Sequence, residues 1–244
     1  MEDTLSIPSP DGPIPAFLAL PEGDEPAPAV IMLMDAPGIR EELHRFARRV
    51  ASAGFACVLP DMYYRLGTLR FDLSRRDDRM TAVFGAAMAS LGHERVAADC
   101  RAILDALDAD DRVAAGPRGL VGYCMSGQYV LAAACRFPER VAAVAAFHGV
   151  RMVTEEPDSP HLGAAEIRAE MFLGFASDDP LVPDNVIPTL RDTFTTHAIP
   201  HRIETYPGTR HGYSFPERDV YVEEAAEAGW EGMLDLFSRR LHPR

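Results

Sequence analysis

Between an apolar, β-prone run, Arg118 to Tyr123, and an alanine-rich stretch that ends before Pro138, the chain reads Gly122-Tyr-Cys-Met-Ser-Gly127. That spacing suits a nucleophile presented on a sharp strand-to-helix turn, where the strained backbone requires small residues two before and two after it; Gly122 and Ser126 meet the requirement. The reactive form of cysteine is the thiolate, which gains at the first turn of a helix from unpaired N–H groups and the positive end of the dipole. A buried structural cysteine is the commoner fate of the residue, but the small neighbours and the strand–helix context single out Cys124.

A cysteine nucleophile needs a base, and the base needs an orienting acid; on the nucleophile-elbow plan these follow in the order acid, then histidine. The acid expected is Asp179, preferred to Asp178, in the segment Gly174-Phe-Ala-Ser-Asp-Asp-Pro-Leu-Val-Pro183. The histidine expected is His211, in Tyr206-Pro-Gly-Thr-Arg-His-Gly-Tyr213. Of the other histidines, His44, His93, His161, His197, His201 and His242 have no supporting pattern and read as surface residues. His148 ends an apolar strand and is expected to line a substrate pocket without acting as a second base. An oxyanion hole on this plan takes the N–H after the nucleophile and one from the loop after the third strand, which makes Met125 and Ala36 the donors. Beside Ala36 lies Asp35, at a strand end within reach of Cys124 or else a loop-capping carboxylate.

Two alternating segments, 4–8 and 13–20, joined by Asp11-Gly12, predict an opening antiparallel hairpin. The continuous apolar run from Ala29 to Met34 predicts a strand covered on both faces. Further strands are expected near 55–59, 119–123, 142–147, 170–176 and 201–206, with helices near 41–53, 77–91, 93–108, 127–137, 184–197 and 217–241. Such alternation gives an α/β fold with a mainly parallel sheet and helices on both sides. The irregular pieces 61–76 and 149–167 each follow a strand, at the edge where such sheets bind ligands.

With 244 residues and 47% hydrophobic content, one domain over 1–244 is the expected organisation. The opening residues do not read as a targeting signal and no span has membrane length, so a cytoplasmic protein is expected. Four cysteines, 57, 100, 124 and 135, lack the spacing of a disulfide scaffold or zinc site, so no metal is expected. A formal charge of −13 disfavours nucleic acid and anionic lipid as partners. All 24 basic residues are arginine, which excludes lysine chemistry.

In its Gly-x-Cys elbow, the aspartate before Leu181-Val-Pro and the His-Gly-Tyr near the end, the chain resembles the dienelactone hydrolase (carboxymethylenebutenolidase) family of α/β-hydrolases. The resemblance implies a single domain with an eight-stranded sheet, no metal or organic cofactor, and a thiol that opens a lactone through an acyl-enzyme. It also implies that Asp35, where the family has glutamate, tunes the Cys124 thiol, and that Arg79 and Arg218 hold a substrate carboxylate; Arg65, Arg70, Arg75 and Arg76 are read as solvated or paired with Asp72, Asp77 and Asp78. The expected function is a cysteine-dependent hydrolase of lactones or activated esters, monomeric or weakly homo-oligomeric, with a small-molecule partner. The alternatives are a carboxylesterase or thioesterase for neutral substrates, or a non-catalytic ligand-binding or thiol-sensing protein.

Overall fold

The computed structural model describes residues 1–75 and 77–242. Apolar runs and amphipathic stretches alternate as the sequence predicts, giving a mostly parallel sheet of strand order β1-β2-β4-β3-β5-β6-β7-β8 in which the antiparallel pairing is N-terminal. The chain divides into two compact units, Met1–Ala115 and Gly116–Arg244.

The first unit carries β1 (Glu2–Ile7), β2 (Ile14–Ala19), β3 (Ala29–Leu33), α1 (Glu41–Ser52), β4 (Ala56–Pro60), α2 (Asp78–Ala89) and α3 (His93–Asp108). β1 and β2 form the expected hairpin, with Ile7 opposite Ile14 and Gly12 at φ +114° in the turn. Every residue of β3 is buried, which is why its sequence is apolar without alternation. α1 buries Leu43, Phe46, Ala47 and Val50, one apolar stripe at helical spacing. Asp77 caps α2 by accepting from the Met80 N–H at 2.8 Å.

The second unit carries β5 (Arg118–Tyr123), a turn of 3-10 helix (Cys124–Ser126), α4 (Gly127–Arg136), β6 (Val141–Phe147), β7 (Glu170–Asp178), α5 (Val186–Thr196), β8 (His201–Arg210) and α6 (Glu223–Leu241). Its four strands are parallel and adjacent in chain order. Gly119 of β5 abuts Phe237 and Leu241 of α6, while Gly122, an odd number of residues on, abuts Val130 of α4. Successive strand residues face opposite sides, so α4 and α6 cover opposite faces. Two strands run further than expected: β7 reaches Asp178 and β8 reaches Arg210, because pairing resumes after an irregularity, with Asp178 opposite Arg210. α6 starts at Glu223, later than the 217 expected, because 217–222 form turns.

The strand-to-helix turn depends on two absent side chains. A Cβ on Gly122 would lie 2.7 Å from the Ser126 carbonyl oxygen, and one on Gly127 would lie 2.5 Å from the Gly149 Cα. The obstacles are backbone and cannot swing aside. We expect Gly127→Ala to destabilise by about 1–3 kcal/mol, lowering Tm by several degrees in a thermal melt. Gly85→Ala, inside α2 with no atom within 4 Å of the added Cβ, should instead stabilise by about 0.5–1 kcal/mol. Equal melting shifts in the two variants would overturn this account.

Candidate active site

Tyr123 ends β5 in extended backbone and Cys124 follows at φ +52°, a left-handed conformation that a non-glycine residue seldom takes. The Cys124 carbonyl accepts from the Val150 N–H at 3.0 Å, which ties the turn to the chain leaving β6. The helix that follows starts at Gly127, so Cys124 stands at its N-terminal end, and Met125 presents its backbone one residue on.

Asp179 and His211 are delivered by the ends of β7 and β8. Because Asp178 pairs with Arg210, the next residue of each strand falls side by side. His211 Nδ1 lies 2.7 Å from Asp179 Oδ2, and its Nε2 lies 3.1 Å from Cys124 Sγ. The Asp179 carboxylate is 2% exposed, and its other oxygen accepts from the Leu181 N–H at 3.0 Å. Asp178, by contrast, is exposed at the last position of β7. Burial works against charge on His211, but the hydrogen bonds and charges of Asp179 and Cys124 outweigh it and push the imidazole up to about 9. Burial drives the thiols of Cys57, Cys100 and Cys135 upward, the latter two to about 12. Those three therefore stay protonated and inert near neutral pH.

The other expected site residues are placed differently from one another. Asp35 is fully buried, and both its carboxylate oxygens accept from the guanidinium of Arg40, a partner the sequence reading missed. Arg40 also donates to the Gly38 carbonyl at 3.0 Å, and the Gly38 N–H donates to the Asp35 carbonyl at 2.9 Å. Since a trans peptide points its N–H opposite its C=O, closing that turn aims the Ala36 N–H away from it. The Tyr63 hydroxyl donates to the Ala36 carbonyl at 2.9 Å.

Arg79 is exposed in the first turn of α2, and the Arg218 guanidinium lies 4.7 Å from the centroid of the Phe215 ring. Arg65 and Arg70 pair not with Asp72, Asp77 or Asp78 but with the buried Asp99 and Asp61, because those carboxylates need a counter-charge. Arg75 is exposed, and Arg76 lies outside the described residues. His148, expected to line a pocket, is 0% exposed, with Nε2 2.8 Å from Ser214 Oγ and Tyr123, His211, Tyr213 and Phe215 about its ring. Its place at a strand end was legible; the aromatic shell that closes over it was not. Among the described residues no cluster of His, Cys, Asp and Glu could hold a metal ion, and no helix is long and apolar enough to cross a membrane.

The model of the dienelactone hydrolase family matches residues 14–241. A Salmonella typhi protein carrying the name carboxymethylenebutenolidase is 27% identical over 246 aligned residues, covering 96% of this chain and 86% of that protein. A Bradyrhizobium protein named as a 2-oxo-3-(5-oxofuran-2-ylidene)propanoate lactonase is 26% identical, covering 90% of this chain and 86% of its own. Among solved structures, one from Klebsiella pneumoniae described as a dienelactone hydrolase superposes with a TM-score of 0.86 at 25% identity, covering 98% of both chains.

The contact between His211 and Asp179 generates two expectations. Asp179→Asn should lower kcat by several powers of ten, on the order of 10⁴ for the same change in a serine triad, while Asp178→Asn is mild; the reverse ranking would move the acid to Asp178. The second concerns pH. Because the folded state holds the His211 proton more tightly than an unfolded imidazole of pKa about 6.5, the stabilisation is fully present below that pH. It is lost as pH rises through about 9. Denaturant titrations of wild type and His211→Gln should therefore converge across that window; a constant gap would contradict the raised affinity.

Proposed function

The chain belongs to the dienelactone hydrolase family, a hydrolase acting on ester or lactone bonds, and from that premise we propose that it opens lactones or activated esters through a Cys124 thioester. The observation that carries the reading is His211 bonded at once to Asp179 and Cys124, at 2.7 and 3.1 Å, while the other three thiols are held protonated by burial. The family model runs through both compact units, which supports treating 1–244 as one functional domain.

In this mechanism the Cys124 thiolate attacks the carbonyl carbon and the carbonyl π pair moves to oxygen. The N–H groups of Met125 and Ala36 are the proposed donors to that oxyanion. On collapse the C–O bond to the leaving group breaks, and the His211 imidazolium gives its proton to the departing enolate or alkoxide. The neutral imidazole then takes a proton from water as that water attacks the thioester carbon, and the thiolate leaves. Asp179 holds the imidazole in one orientation and stabilises its charged form throughout.

An anionic lactone is the favoured substrate class, since the Bradyrhizobium relative is named for a lactone of an oxo-acid and Arg218 follows His211 on the same loop. Arg79 is the second candidate for the carboxylate. Arg218→Met and Arg79→Met should raise KM for a dienelactone while leaving hydrolysis of a neutral aryl ester near wild type. An equal loss on both substrates would favour the neutral-esterase reading. Cys124→Ala should abolish hydrolysis, and a phenyl ester should acylate Cys124 transiently, seen by intact mass; stable oxidation without turnover would favour a thiol sensor.

Asp35 enters the reading as the brace of the turn that carries Ala36, because Arg40 already balances its charge. Asp35→Asn should then leave the pH dependence of iodoacetamide inactivation superimposable on wild type while hydrolysis falls by up to about 10²-fold, the cost of a misplaced group near the chemistry. A shifted inactivation curve would restore Asp35 as the residue that tunes the thiol.

A further inference from the structure

The small-residue strand Val141-Ala-Ala-Val-Ala-Ala-Phe147 ends in His148, which turns to φ +39° and donates its backbone N–H to the Gly174 carbonyl at 2.7 Å. A fully buried imidazole must account for two ring nitrogens. Nε2 meets Ser214 Oγ at 2.8 Å; Nδ1 has no hydrogen-bond partner. A proton on Nε2 is donated to Ser214 and leaves Nδ1 its lone pair; a proton on Nδ1 leaves Ser214 to donate to Nε2. Burial, reinforced by the charges of His211 and Arg218, holds His148 well below the usual range and so favours the neutral ring.

In either tautomer the neutral ring packs against a second imidazole. The His148 and His211 centroids are 4.9 Å apart with planes at 69°. Both nitrogens of His211 are taken, by Asp179 and by Cys124, so it can meet His148 only through its carbon edges or its face. In the imidazolium those C–H edges carry positive charge. A neutral ring offers them electron density, from its face or from the Nδ1 lone pair, where a protonated one would repel them. The other charged and titratable groups about the pair are Arg218 on the loop after His211, Tyr213 on that same loop, and Tyr123 at the end of β5.

We propose that His148 is a positioning residue of the triad: a neutral imidazole, tethered by Ser214, that backs the charged form of His211 and keeps its ring aimed at Asp179 and Cys124 together. The role deepens the hydrolase reading and rests on it for what His211 does in turnover. It uses no substrate contact, which separates it from the pocket-lining role read from the sequence.

The test follows the His211 ring by NMR titration in the resting enzyme, together with the pH profile of Cys124 alkylation and the steady-state constants. His148→Leu should lower the His211 pKa by about half to one unit, the size of a lost ring–cation contact. It should also lower kcat by up to about tenfold at unchanged KM, and His148→Phe, which returns a ring face, should recover part of both effects. Unaltered titration and alkylation profiles with only a lower Tm would reduce His148 to packing, and a raised KM at constant kcat would make it a substrate contact; either overturns the proposal. Should His148→Leu not fold, Ser214→Ala carries the test by releasing the tether. A lower kcat at constant KM is then expected, and unchanged kcat with unchanged titration overturns the proposal. The titration needs no substrate, so it stands or falls separately from the hydrolase reading, which fails if Cys124→Ala still hydrolyses.

Discussion

A largely enclosed imidazole whose charged form is favoured against desolvation is the constraint on which this site depends. Burial opposes the charged form of His211, and only two hydrogen bonds to groups of opposite character reverse that balance. Removing either partner would leave a charge with too little compensation inside the protein, the costly way to break a buried pair. The requirement is also geometric. A carboxylate and a sulfur must reach opposite nitrogens of one small ring at the same time, and the ring must not turn.

The second unit meets the requirement with register. The pairing of Tyr123 with Phe147 levels the ends of β5 and β6, and that of Asp178 with Arg210 levels the ends of β7 and β8, which run on past Gly174, the partner of Phe147. Cys124, His148, Asp179 and His211 are each the first residue beyond a strand, so one edge of a parallel sheet collects all four side chains. The irregularity between Ala176 and Asp178 is part of this arrangement. A slip of one residue there would turn the side chains of the continuing strand to the other face, and Asp178 would stand where Asp179 does.

Much of this was legible in the sequence because it is local. The elbow shows itself in small residues at fixed offsets from Cys124, and the contacts of His211 with Asp179 and Cys124 in the order and loop context of those residues. The eight strands follow from apolar runs between turn signals. What escaped depends on contacts distant in sequence. β8 continues past Pro207 and Gly208, residues that read as a turn, because β7 is there to pair with it. Gly127 looked like a helix start, yet its lack of a side chain is demanded by Gly149, far along the chain. His148 was placed at the correct edge but not behind His211, since only the folded loop 211–215 shows which side its ring takes.

The arginine-only composition shapes how the buried carboxylates are balanced. With 24 arginines against 37 acidic residues, buried carboxylates claim guanidinium forks first. Asp35 takes Arg40, Asp99 takes Arg65 and Asp61 takes Arg70, so the loop after β4 spends part of its charge on its own architecture. Arg218 also meets an aromatic ring. Its guanidinium carbon is 4.7 Å from the Phe215 centroid, near enough for the cation to feel the π electrons. Arginine, planar and weakly hydrated, suits such a contact better than lysine, a compact and strongly hydrated charge on a flexible stem.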